Sequence, residues 1–157
     1  MTILLLAEHD GSSVSDQTAK AATAAAAIGG DIHVLVAGKG CAAAAEDAAK
    51  IAGVSKVLIV ESDALAEALA EPLAATILDL ASGYDVIMAA ATAIGKNVMP
   101  RVAAAGILLG LAHPQHLLVL GQRPGPAVSG GAAGAAAPQT AAGTGSAAVV
   151  CVHSSFL

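Results

Sequence analysis

The chain has 157 residues, a formal net charge of −5 and a mean hydropathy of +0.74. This length fits one domain with one sizeable core. The acidic charge argues against nucleic acid as a partner, and the apolar runs are shorter than the roughly 20 residues that span a bilayer. The first residues lack the basic flank and cleavage site of a signal peptide. We therefore expect a cytoplasmic protein that does not insert into a membrane.

The first 90 residues alternate apolar runs with alanine-rich segments. Four runs predict buried strands, at Ile3–Ala7, Ile32–Val36, Lys56–Val60 and Val86–Ala90. The segments between them predict helices at Gln17–Ile28, after an N-cap at Ser15-Asp16, and at Cys41–Ala52 and Ala70–Ala81. This alternation predicts an α/β fold of the nucleotide-binding-like kind, a doubly wound, mostly parallel sheet with helices on both faces.

The stretch Met88–Gly106 predicts that the fourth strand leads into a fourth helix. We expect this helix to begin near Lys96-Asn97 and to end at Gly106. Pro100 would then lie in the first turn, where a missing backbone N–H costs little.

The C-terminal third is expected to be poorly regular. All twelve acidic residues lie between Glu8 and Asp85, and Arg123 is the only charged residue after Arg101. Leu117–Leu120 and Ala147–Val152 predict strands. The residues between them, 121–145, are rich in Gly, Ala and Pro and predict a loop.

Polar residues follow the predicted strands, so the carboxyl edge of the sheet is where a site is expected. A small nucleotide could be held there by Asp10, Gly38, Lys39, Gly40 and Thr92. An ordinary strand-to-helix connection explains the same residues, because neither a GxxxxGK[ST] phosphate loop nor a GxGxxG turn after the first strand is present.

A second set of polar residues is expected at a domain or subunit contact, or around an anion: Lys96, Asn97, Arg101 and Arg123. No catalytic constellation and no metal site is predicted. Cys41 and Cys151 stand among small apolar residues, which is typical of buried thiols in a reducing compartment. His113 and His116 are three apart, but Pro114 between them argues against a helical metal pair.

Four long stretches, in order, resemble the N-terminal domain of the alpha subunit of electron transfer flavoprotein: ILLLAEHDG with SDQTAKAATAAAAIGGDIHVLVAG, GCAAAAEDAAKIAGVSKVLIVES, and LAEPLAATILDLASGYDVIMAAATAIGKNVMPRVAA. The resemblance covers residues 2–105. We expect residues 1–157 to form a single domain of this kind. A fainter similarity continues at Gln122-Arg123-Pro124 and at Val149–Phe156, the strand that closes the domain. Residues 106–146 diverge, because the Tyr and Asn of the family's segment there are absent.

The resemblance implies a heterodimer with a beta subunit. Such a complex takes electrons from acyl-CoA and related dehydrogenases through one FAD and passes them to a membrane quinone oxidoreductase. In the family the FAD is held mainly by a second domain of the alpha subunit. The sequence ends at Leu157, ahead of the position expected for that FAD-binding domain. We therefore expect a truncated scaffold and interface domain that binds no FAD alone and is an electron carrier subunit rather than an enzyme.

Two alternatives remain open from the sequence. The first is a domain that binds AMP or ATP at the carboxyl edge of the sheet. The second is a nonfunctional remnant of the alpha subunit.

Overall fold

Six parallel strands form the centre of the fold in a computed structural model that describes residues 1–108, 117–120 and 148–152. The strands are β1 (Thr2–Leu6), β2 (Asp31–Gly38), β3 (Val54–Glu61), β4 (Val86–Ala90), β5 (Leu117–Leu120) and β6 (Ala148–Val152). Their order in the sheet is β5-β4-β1-β2-β3-β6. Every neighbouring pair is parallel, which confirms the predicted parallel sheet.

Among the described residues, four helices cover the two faces of this sheet: α1 (Asp16–Ile28), α2 (Ala42–Ala48), α3 (Ala70–Ala81) and α4 (Ala93–Leu108). The alternating side chains of β1 show how the faces divide. Ile3 and Leu5 belong to the core under α1 and α2, whereas Leu4 and Leu6 belong to the core under α3 and α4. Because successive strand residues point to opposite faces, continuous apolar strands bury both sides. The doubly wound arrangement is confirmed.

The chain reverses its direction of travel across the sheet between β1 and β4. It moves outward from β1 to β2 and β3, and then returns through α3 to pair β4 with the other side of β1. Ligands of open α/β sheets bind outside the carboxyl ends of the strands at such a switch point. The carboxyl ends of β1 and β4 are therefore the first place to look for a site.

The start of α1 agrees with its sequence. Ser15 is the N-cap, and its hydroxyl accepts a hydrogen bond from the Thr18 backbone N–H at 3.3 Å. The helix ends at Gly29, whose φ of +87° lies in the left-handed region that favours glycine.

The predicted bounds of α4 are wrong at both ends. The helix begins at Ala93 because Thr92 caps it, and it continues past Gly106 to Leu108. Pro100 consequently lies inside the helix and not in its first turn. The proline removes the hydrogen bond that its N–H would give to the Lys96 carbonyl, but both residues are exposed, so that solvent can reach this carbonyl.

Helix α2 is shorter than predicted. It ends at Ala48, after which Lys50 and Ile51 donate to carbonyls only three residues back, at Asp47 and Ala48. Such tight bonds close a helix. The structure also adds an unpredicted 3-10 turn at Asp63–Leu65 after β3.

The predicted strands at Leu117–Leu120 and Ala147–Val152 are confirmed as β5 and β6, with β6 starting one residue later. The predictions for Arg123, His113, His116 and the loop at 121–145 fall outside the described residues. Within the described part of the chain, no helix has the length and apolar character needed to cross a bilayer.

Candidate functional site

A cleft of about 200 Å³ opens at the carboxyl edge beside the switch point. Its walls come from the ends of β1 and β2, the 3-10 turn after β3, α3 and the first turn of α4. Three of the five residues predicted for a nucleotide site line it, namely Asp10, Gly38 and Lys39. Gly40 and Thr92 lie on the same edge but are not part of the lining. Glu8 and His9 complete its polar surface.

The carboxylate of Asp10 is engaged by its own turn. Its Oδ1 accepts hydrogen bonds from the backbone N–H groups of Ser13, at 2.8 Å, and Ser12, at 2.9 Å, and from the Ser12 hydroxyl at 2.8 Å. Donors that bond the ionised form favour it, so these bonds, with the Ser13 N–H first, hold the pKa of Asp10 well below its usual range. The negatively charged carboxylate of Asp10 therefore holds the turn after β1 in its conformation.

Asp10 is expected to contribute to stability at neutral pH and to lose that contribution in acid. Its pKa is depressed in the folded state, so the stabilisation is complete above the unfolded value of about 4 and falls as the pH drops below it. Urea denaturation should show Asp10→Asn less stable than the wild type at pH 7, with the difference shrinking towards pH 3. Asp16→Asn, at the exposed start of α1, provides a comparison for the loss of a charge. A difference for Asp10→Asn that stays constant across this range would contradict the role of the carboxylate.

The imidazole of His9 closes the cleft against β2. Its Nδ1 accepts from the Gly11 backbone N–H at 3.2 Å, so Nε2 carries the proton that is donated to the Ala37 carbonyl at 3.1 Å. Gly38 permits this position, because a Cβ there would lie 2.8 Å from the ring's Cε1. With both ring nitrogens bonded to the backbone, His9 fixes the turn after β1 to the end of β2.

Glu8 links the end of β1 to the start of α4. Its carboxylate Oε1 accepts from the Thr92 hydroxyl, which itself accepts from the Gly95 N–H at 3.2 Å. The Glu8 backbone N–H donates to the fully buried Thr18 hydroxyl at 2.9 Å. A helix N-terminus favours a negative charge, and at α4 the protein's own carboxylate meets that preference.

Lys39 is the cation of the cleft, and it is paired. Its Nζ lies 2.7 Å from Asp63 Oδ1, and this hydrogen bond raises the pKa of Lys39 and lowers that of Asp63. The pair is largely exposed, so it contributes little to stability. The lining of the cleft carries two carboxylates, Glu8 and Asp10, against one lysine, and this excess of negative charge disfavours phosphate.

A model of the electron transfer flavoprotein domain family matches residues 3–108, which run from β1 to the end of α4. The chain belongs to this family. It is 62% identical over 104 residues to the electron transfer flavoprotein subunit alpha of Bradyrhizobium diazoefficiens, and 54% over 105 residues to that of Paracoccus denitrificans. Each match covers 66% of this chain, and 33% and 34% of the respective relatives. The Pseudomonas aeruginosa subunit alpha is 51% identical over 104 residues, with 66% and 34% coverage.

The chain thus spans about a third of the length of the curated relatives it matches. The resemblance to the alpha subunit of electron transfer flavoprotein is confirmed for this N-terminal portion. Among the described residues, no three His, Cys, Asp or Glu side chains are grouped as metal ligands would be.

The family stretch at the start of α4 presents its polar side chains to solvent. Lys96, Asn97 and Arg101 are all exposed. Arg101 donates through Nη1 to the Asn97 carbonyl at 2.8 Å and to the Asn97 side-chain oxygen, and its Nη2 lies 3.1 Å from Glu71 Oε1. Arg101 therefore ties α4 to α3. That Lys96, Asn97 and Arg101 contact a partner or an anion stays a prediction.

The cleft does not fit an FAD. A volume of about 200 Å³ is below the 300–1,000 Å³ of ordinary ligand pockets, and a dinucleotide also brings two phosphates towards Glu8 and Asp10. Tyr84, the only aromatic residue in the first 108, stands at the amino end of the sheet, where its hydroxyl lies 3.0 Å from His33 Nδ1. The lining of the cleft contains no Phe, Tyr or Trp on which an isoalloxazine ring could stack.

Sequence reasoning missed the contacts made over long distances in the chain. Glu8 with Thr92, His33 with Tyr84, and Cys41 with Glu61 each join residues that stand in different motifs. Cys41 is buried as predicted, and its backbone N–H donates to Glu61 Oε1 at 3.1 Å. Glu8, which follows β1, and Glu61, the last residue of β3, gave a partial signal, because both carboxylates stand at strand ends on the carboxyl edge.

Proposed function

We propose that this chain works as an alpha-type scaffold domain of an electron transfer flavoprotein, and that it pairs with a beta subunit in a heterodimer. Family membership supports this proposal, and the state of the carboxyl edge supports it further. Asp10, His9, Glu8 and Lys39 are each engaged by groups of the domain itself. These polar side chains stabilise turns and helices of the domain itself. This use of the carboxyl edge is more typical of a structural domain than of a catalytic one.

Electron transfer itself belongs in this proposal to the assembled complex. Electrons from acyl-CoA and related dehydrogenases would reach an FAD held outside this domain and continue to a quinone oxidoreductase. The domain's part is to provide a rigid surface for assembly. Since the cleft does not accommodate FAD, no electron-transfer step is assigned to the residues described above.

Co-expression with a beta subunit from the same genome tests the proposal. We expect the two chains to co-elute as one species in size-exclusion chromatography, and the chain purified alone to lack flavin absorbance. The beta subunit expressed without the chain gives the control elution volume. Separate elution of the two folded chains would refute the scaffold function, and a stoichiometric flavin spectrum from the chain alone would refute the view that FAD binds elsewhere.

Nucleotide binding is the second candidate, because Asp10, Gly38 and Lys39 do line one cleft at the switch point. A ligand that binds the native state raises the melting temperature. A rise with millimolar AMP or ATP would support this candidate, and no rise would dismiss it. A nonfunctional remnant would give neither a complex with the beta subunit nor a thermal shift.

A further inference from the structure

An apolar groove lies beside the start of α3 and shares Leu65 with the cleft at the switch point. Its volume is about 380 Å³, and its walls are the 3-10 turn after β3 and the first two turns of α3. The lining residues are small or apolar in the main, with Glu71 at the margin: Ser62, Ala64, Leu65, Glu71, Pro72, Ala75 and Thr76. The Thr76 hydroxyl already donates to the Pro72 carbonyl at 2.9 Å, so this donor is engaged within α3.

An exposed hydrophobic residue stands close to the groove in the chain. Leu69, directly before α3, is 55% exposed. Among the described residues, the other large hydrophobic side chains that are exposed are Met1 and Ile28. Met1 and Ile28 stand at the opposite, amino edge of the sheet, next to the start of β1 and the end of α1. An exposed apolar surface rimmed by polar groups is typical of an interaction site.

The groove lies within an acidic stretch of the chain. Between Lys56 and Lys96 the sequence contains six acidic residues and neither a lysine nor an arginine. Of these six, Glu71 lines the groove, and Asp63 and Glu67 lie in the chain between its lining residues; we refer to these three as its acidic rim. Asp63 and Glu71 have side-chain exposures of 87% and 71% and pair with Lys39 and Arg101. Such exposed pairs are weak. A lysine or arginine of a binding partner can therefore replace Lys39 or Arg101 in them at small cost.

We infer that this groove is the docking site for a segment of the partner protein that carries an apolar anchor residue flanked by lysine or arginine. The groove takes the apolar side chain, and the carboxylates of Asp63, Glu67 and Glu71 take the flanking cations. Charge complementarity selects this occupant over a second copy of the chain, whose own groove region is equally acidic. The inference rests on the proposed function, because it identifies the surface by which the scaffold domain engages its partner.

Two pairs of variants test the groove in the complex of the full chain with the beta subunit. Ala75→Glu puts a charged side chain at a half-buried alanine that lines the groove, and Ala24→Glu, at a half-buried alanine of α1 on the other face of the sheet, is its control. Glu67→Lys reverses a charge on the rim, and Glu46→Lys does so on exposed α2. We expect Ala75→Glu and Glu67→Lys to weaken binding at least tenfold, and the two controls to change it less than threefold.

Hydrogen exchange and salt dependence complete the test. Complex formation should protect the amides of residues 62–76, and affinity should fall as the salt concentration rises, because salt screens the acidic rim. Equal binding by wild type, Ala75→Glu and Glu67→Lys would overturn the groove and leave the scaffold function standing. No binding by the folded wild type would overturn both. A homodimer that Ala75→Glu dissociates would show that a second copy is the occupant and would also overturn the inference.

Discussion

Replacing Gly95 with alanine is expected to lower the free energy of unfolding by about 3 kcal/mol or more. Gly95 is buried in the first turn of α4, where the helix meets the end of β4. A Cβ at this position would lie 1.9 Å from the Ala90 carbonyl oxygen and 3.1 Å from its carbon. Both are backbone atoms of a buried strand, so neither can move aside without shifting β4 or α4.

Two effects of this substitution have opposite signs, and their magnitudes decide the outcome. Alanine is the better helix former and would add about 1 kcal/mol at an unhindered helix position. The steric conflict exceeds that gain, because relieving it separates α4 from the sheet. The shift would also disturb Thr92, whose hydroxyl bonds both the Gly95 N–H and the Glu8 carboxylate. The switch point would lose its cap together with its packing.

Thermal and urea denaturation of Gly95→Ala, wild type and Gly83→Ala measure this effect. Gly83 is the matched control, because a Cβ there would be 3.6 Å from the Leu80 carbonyl oxygen, an ordinary contact. Its substitution should change stability by less than about 1 kcal/mol. A Gly95→Ala protein as stable as the wild type would mean that α4 does not approach β4 as closely as described.

The sheet could be predicted from the sequence because its signals are local. Uninterrupted apolar strands such as Ile3–Ala7 need cover on both faces, and each alternating helix supplies it, which leaves few arrangements other than a doubly wound parallel sheet. The strand order near β5 and β6 is not local information. It depends on pairings of β4 with β5 and of β3 with β6 that no single stretch of sequence specifies.

The site was predictable in position and less so in its contacts. Asp10, Gly38 and Lys39 could be placed at the carboxyl edge by the switch-point rule alone. What each side chain does there depends on partners elsewhere in the chain, as with Thr92, which bonds a carboxylate 84 residues away. The start of α4 was misjudged for the same reason, since Pro100 is a strong local signal and the cap at Thr92 acts together with Glu8.

Leu5→Ala is expected to cost about 2–5 kcal/mol of the free energy of unfolding. Leu5 is fully buried in β1, the strand on which the rest of the sheet is built, and it stands in register between Val34 of β2 and Met88 of β4. All three side chains belong to the core under α1 and α2. That core is composed largely of alanines on the helical side, so few large side chains nearby can move to fill the space that a leucine leaves.

Leu69→Ala removes the same atoms from a side chain that is 55% exposed, and it isolates the effect of burial. Its stability should change by about 0.5 kcal/mol or less. Urea denaturation should show an unchanged m-value for Leu5→Ala if the native fold persists around a cavity, since m follows the surface exposed on unfolding. A cost for Leu5→Ala no larger than that for Leu69→Ala would contradict the placement of β1 at the centre of the sheet. A large cost would support a rigid alanine-lined core, the property that a scaffold domain needs to present a fixed surface to its partner.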